Sequence, residues 1–198
     1  MHDTSDKRNE VFKNFIDKME VAYAVLLAWG YARIAEYFIH DLRYLSGAII
    51  GGMVLIRFFF AASHNLKPIA EKTEGSIAKQ RILFLWDVPL LCVHSFVYYR
   101  MCVLLSRYDY HNFYLAFCVL LSFNIIWLIS INKRIDPAGK NHLLWCSKWT
   151  CNNAAHLAAM FIFLFYRIEY LLFWVALSNC LFDFMMTASD YLGFKNKR

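Results

Sequence analysis

The chain has 198 residues, of which 60% are hydrophobic, 18% aromatic and 18% charged, with a formal net charge of +6. A soluble domain carries about 45–50% apolar and about 25% charged residues, so an ordinary soluble, disordered or collagen-like protein is excluded. Seven Gly and three Pro leave no low-complexity linker, and no stretch is long enough for a separate soluble catalytic domain.

Residues 1–20 are polar and charged and read as a cytoplasmic tail. Within it Val11, Phe12, Phe15, Ile16 and Met19 recur at helical spacing, which predicts an interfacial amphipathic helix lying on the inner leaflet before the chain turns inward. No cleavable signal peptide is expected ahead of the first span.

A helix crossing about 30 Å of hydrocarbon needs about 20 mostly apolar residues. Six segments within 21–190 approach this, at 21–40, 45–62, 82–106, 112–131, 153–166 and 170–189. The fifth is short, so it either starts earlier, inside the preceding loop, or dips into the bilayer without crossing. The predicted fold is all-α: a polytopic membrane bundle of about six helices in three hairpins, ending in a basic cytoplasmic tail at 191–198.

The basic residues support that parity, because short cytoplasmic loops collect Lys and Arg. Lys7, Arg8, Lys13 and Lys18 fall in the first tail; Lys67, Lys72, Lys79 and Arg81 in the second connection; Lys133, Arg134, Lys140 and Lys148 in the fourth; Lys195, Lys197 and Arg198 in the last tail. Only Arg43, Arg107 and Arg167 lie on the other side. This asymmetry places both termini in the cytoplasm and the bundle in a cell inner membrane. It also accounts for the net charge through contact with an anionic leaflet, so no direct nucleic-acid partner is expected.

Each turn on the opposite side carries an acid, an Arg and a Tyr: Asp41, Arg43 and Tyr44; Arg107, Asp109 and Tyr110; Arg167, Glu169 and Tyr170. The triplets suit an ancestral hairpin repeat, or simply a membrane interface. Gly47 and Gly51 form a GxxxG spacing that lets another helix backbone approach, and a homo-oligomer is expected. Pro89 should kink the third span by freeing the carbonyl of Leu85, whereas spans four to six contain neither Gly nor Pro.

Ionisable groups within a bilayer are functional-site candidates. Arg57, Asp87 and Asp183 fall at one depth and predict an inner cluster; Arg33, Glu36 and Arg100 form an outer charge layer; His94 lies between them. Asp87, Leu91, His94 and Tyr98 share a helix face, and Asn179 and Asp183 share another. Two readings remain open. In one, Arg57 pairs with Asp87 or Asp183, and Arg33 with Glu36, as buried ion pairs that fix packing. In the other, Asp87, His94, Asp183, Arg57, Asn124 and Asn179 line a water-filled ion path, with His94 changing charge near neutral pH and His156 on the same path.

His142, Cys146, Cys151 and His156 have zinc chemistry but poor zinc spacing, so no metal or other cofactor is expected. The cysteines lie in spans or on the reducing side, and no disulfide is expected. Phosphate-loop, nucleophile-elbow and zinc-helix motifs are absent, so no enzyme is expected. The leading expectation is a small oligomeric pore or channel-like protein altering membrane permeability. A membrane-permeabilising effector of an antiviral defence or toxin system is one such role. The alternatives are a proton-coupled secondary transporter, in which the Asp87 to His94 face carries the proton, or a non-conducting subunit whose basic cytoplasmic loops dock a soluble regulatory protein.

Overall fold

Uninterrupted apolar sequence between short polar breaks produces long helices and tight turns, and no strand occurs among the described residues. The computed structural model describes residues 2–73, 82–135 and 140–191. Among the described residues the helices are α1 (His2–His40), α2 (Leu45–Thr73), α3 (Val88–Leu105), α4 (Tyr110–Ile135), α5 (Lys140–Phe165) and α6 (Glu169–Tyr191). A 3-10 turn, Leu42–Tyr44, joins α1 to α2, and a π-helical turn, Leu83–Asp87, leads into α3.

The stretches Leu42–Ala62, Leu85–Leu105, Tyr110–Ile131 and Glu169–Ala188 are long and apolar enough to cross a membrane. The expected spans in α1 and α5 do not reach that apolarity, because Arg33 and Glu36 dilute one and Asn152, Asn153 and His156 the other. The helix that holds the short fifth segment begins earlier, at Lys140. No separate interfacial helix is formed: α1 runs through residue 20 without a break. Nothing between Val11 and Trp29 punctuates a helix, and Phe12 and Ile16 are buried against the other helices.

The helices close into a ring in the order α1, α2, α6, α5, α4, α3 and back to α1. Its core is held by Ile34, Val54, Leu91, Met101, Phe113, Phe117, Leu121, Leu172 and Ala176, all fully buried. Around α1, α2 and α3 the packing depends on small residues. A Cβ on Gly30 would lie 3.1 Å from the Tyr98 ring and 3.3 Å from the Tyr99 backbone, and one on Gly51 would lie 2.7 Å from Ile34 Cδ1. The Tyr98 hydroxyl donates to the Gly51 carbonyl at 2.9 Å. Gly47, the other half of the expected packing motif, has ordinary clearance of 3.7 Å from Leu105. The close approaches therefore involve Gly51 and Gly30.

The α3–α4 and α5–α6 turns share one device. Tyr108 and Arg167 take left-handed backbone angles, φ 57° and 54°. Asp109 N–H bonds the Leu104 carbonyl and Tyr108 N–H that of Leu105; Ile168 and Arg167 repeat this on Phe163 and Leu164. Both are Schellman caps, which satisfy the last carbonyls of a helix. The first turn differs: Asp41 accepts from Arg43 N–H at 2.9 Å and from Arg43 Nε at 2.7 Å. The repeated residue triplet thus corresponds to a repeated cap in two turns of three.

Pro89 does not bend the helix by a simple loss of one bond. The π-turn before it absorbs the missing donor, with Val88 N–H reaching the Leu83 carbonyl. That wider turn sets Asp87, Leu91, His94 and Tyr98 on one buried face.

Candidate functional site

Nine polar or charged residues are buried among the described residues, and seven of them are Arg57, Asp87, His94, Asn124, Asn153, Asn179 and Asp183. They come from α2, the π-turn, α3, α4, α5 and α6, so every helix but α1 contributes to one polar region inside the ring.

The first half of this region is an ion pair with an amide collar. Arg57 Nε donates to Asp183 Oδ2, joining α2 to α6. Arg57 Nη2 donates to Asn153 Oδ1 at 2.5 Å, and Asn152 Nδ2 donates to Asp183 Oδ1 at 2.5 Å. Asn179 Nδ2 lies 3.4 Å from Asn153 Oδ1. Beyond Asn152 the network continues through His156, whose Nδ1 is 2.8 Å from the Asn152 carbonyl and whose Nε2 is 3.0 Å from Ser178 Oγ.

The second half lies on α3 and α4. Asp87 accepts a hydrogen bond from Trp127 Nε1 at 2.7 Å. His94 is enclosed by the rings of Phe58, Trp127 and Phe123, with centroid separations of 5.7, 6.0 and 6.4 Å. Asn124 is buried one turn before Trp127.

Phe58 touches both halves: the Arg57 guanidinium sits 4.6 Å from its ring centroid, and the His94 ring is 5.7 Å away in a T-shaped arrangement. Of the two partners expected for Arg57, the structure selects Asp183, and Asp87 accepts from the Trp127 indole. The expected single cluster of Arg57, Asp87 and Asp183 is therefore two clusters.

Several atoms of the region lack a hydrogen-bonding partner among the described residues: Arg57 Nη1, both ring nitrogens of His94, Asn124 Oδ1, Asn153 Nδ2 and Asn179 Oδ1. A buried polar atom left unsatisfied costs about 1–3 kcal/mol. Six such atoms in one region depart from the usual satisfaction of buried polar groups, and water or a polar guest is what would satisfy them.

The expected outer layer is arranged differently. Arg33, Glu36 and Arg100 are exposed on the bundle surface, and no ion pair between Arg33 and Glu36 is found among the described residues. Their spacing shares a face, but that face points outward. Of the potential zinc ligands, the side chains of His142 and Cys146 lie outside the described residues, while His156 hydrogen-bonds Ser178. No metal-binding group occurs among the described residues. The side chains of Lys67, Lys72, Lys79, Lys133, Arg134 and Lys140, expected to dock a partner, also lie outside the described set.

Sequence reasoning missed Asn152, Trp127 and Phe58. A signal existed for the first: Asn152 and His156, four residues apart, share a helix face. Comparison of the chain with protein families, curated proteins and solved structures finds no match.

Proposed function

We propose that this chain is a multi-pass membrane protein whose polar interior forms a gated route for ions or small polar solutes. In this reading all six helices cross the bilayer, with both termini cytoplasmic in a cell inner membrane, and copies of the chain assemble as a homo-oligomer. The observation that carries the proposal is the buried polar region shared by five helices of the ring, with six atoms that have no hydrogen-bonding partner among the described residues.

The closed state follows from the same geometry. The Arg57–Asp183 pair and the Phe58 ring block the region laterally. Toward the turns, Val54 on α2, Phe117 and Leu121 on α4, and Leu172 and Ala176 on α6 form an apolar plug. Opening requires α2 and α6 to separate, which breaks the ion pair and admits water. Asp183 and Asp87 then act as cation-attracting carboxylates, and Arg57 as the charge that neutralises the gate. An enclosure of three aromatic rings suits His94 to a role in packing and gating.

The π-turn at Asp87 favours a second reading, a coupled transporter. Transporters commonly place substrate and ion sites where a membrane helix is interrupted, and Leu83–Asp87 is such an interruption. Flux of ions and dyes through liposomes carrying the purified chain tests both. A pore passes solute down any gradient without saturation and loses flux with Asp87→Asn and Asp183→Asn together; a transporter saturates and follows a proton gradient. Silence of correctly inserted protein under both conditions would refute the proposal.

A further inference from the structure

We propose that the turn end of the bundle holds a binding site for organic cations of the alkylammonium class. A cleft of about 300 Å³ opens there between the beginnings of α2, α4 and α6, lined by Ser46, Tyr110, Tyr114, Glu169, Tyr170 and Phe173. Its volume matches the small end of ligand pockets.

The lining determines the class of ligand. Four of the six residues are aromatic, and Glu169 is the one ionisable carboxylate; no Lys or Arg faces the cleft. No ion pair to Glu169 is found among the described residues. Aromatic faces around a carboxylate stabilise a weakly hydrated cation through ring quadrupoles and charge together, the arrangement that recognises alkylammonium groups. An ordinary belt of interfacial tyrosines would point outward. Here Tyr114 is 3% exposed yet lines the cleft, and Tyr110 and Phe173 are half-buried.

An anion is the competing guest, because α4 and α6 both begin at the cleft and helix N-termini favour negative charge. Those termini are already served by the protein's own carboxylates. Asp109 accepts from the Asn112 backbone and side chain at 3.2 and 2.8 Å, and Glu169 lies in the first turn of α6. The Ser46 and Tyr110 hydroxyls, 3.4 Å apart, leave an oxygen-rich rim that suits a primary or methylated ammonium.

This site does not depend on conduction through the interior. The ammonium group can come from a free amine or from a phospholipid headgroup. Full-length protein in discs of phosphatidylglycerol alone is titrated with radiolabelled tetramethylammonium, and native mass spectrometry then reads lipid retention in discs that also contain phosphatidylethanolamine. Saturable binding is expected, weakened about tenfold or more by Glu169→Gln and several-fold by Tyr170→Leu. Both substitutions fall at exposed positions, and circular dichroism confirms their helix content. Enrichment of phosphatidylethanolamine that Glu169→Gln abolishes assigns the site to a headgroup; tetramethylammonium binding without that enrichment assigns it to a free cation. Absence of both signals in folded protein, or unchanged affinity in Glu169→Gln, overturns the proposal.

Discussion

Replacing Asp183 by Asn removes the only carboxylate paired with Arg57 among the described residues while keeping nearly the same shape. Both side chains of the pair are 1% exposed, so the guanidinium cannot turn to water without opening the bundle. Its remaining partner is the neutral Asn153 amide. Breaking a buried pair by removing one charge costs about 3–5 kcal/mol. Coulomb attraction at about 4 Å and an effective dielectric near 20 gives about 4 kcal/mol, which agrees. The double substitution Arg57→Met, Asp183→Leu removes both charges and should restore stability to within about 1–2 kcal/mol of the native chain, since well-packed apolar residues replace such pairs at little cost. Unfolding in mixed micelles, followed by circular dichroism, measures all three. A cost of Asp183→Asn under about 1 kcal/mol, or a double substitution at least as damaging as Asp183→Asn, would refute the pairing argument.

Three further outcomes follow from local geometry. Gly30→Ala should destabilise the bundle by about 1–3 kcal/mol through overpacking against Tyr98 and the Tyr99 backbone, whereas Gly47→Ala, with room to spare, should be neutral or stabilising by up to about 1 kcal/mol; thermal melts in detergent compare them, and equal effects would contradict the packing described. Arg167→Gly should raise the melting temperature, because it removes a left-handed strain of about 1–2 kcal/mol, partly offset by the flexibility of glycine; a fall would contradict the cap assignment. The hydrogen bond from Arg43 holds the Asp41 carboxyl below its ordinary value. A depressed folded-state pKa means that this turn contact is complete above about pH 4 and lost as the pH falls through the shifted value. Carboxyl carbon NMR should place the Asp41 midpoint below about 3.9, and Arg43→Ala should raise it; an unshifted midpoint in the native chain would contradict the contact.

Much of the architecture is legible in the residues. The polar breaks at Asp41 to Tyr44, Arg107 to Tyr110 and Arg167 to Glu169 locate the turns, and the spacing of Asp87, Leu91, His94 and Tyr98 identifies a buried face. Less legible is which way a face points. Arg33 and Glu36 share one, but in a membrane both lipid and core are apolar, so periodicity does not separate inward from outward. The N-terminal pattern is ambiguous for a related reason: the spacing that would seat Phe12 and Ile16 on a leaflet equally seats them against a core, where both are buried. The π-turn could not be read from Pro89, because a proline can be accommodated by a bend or by a wider turn. Asn153 fell at a predicted span boundary, where an amide is unremarked; only the three-dimensional structure brings it to Arg57.

In the proposed route the polar region between α2, α4 and α6 meets water. The most direct test is the reaction of a cysteine at position 124, Asn124→Cys, with a small charged thiol reagent in sealed vesicles, the native cysteines having been replaced. The account predicts modification from one side of the membrane, accelerated when Arg57→Gln breaks the ion pair. An unreactive thiol in folded protein, with and without Arg57→Gln, would contradict it.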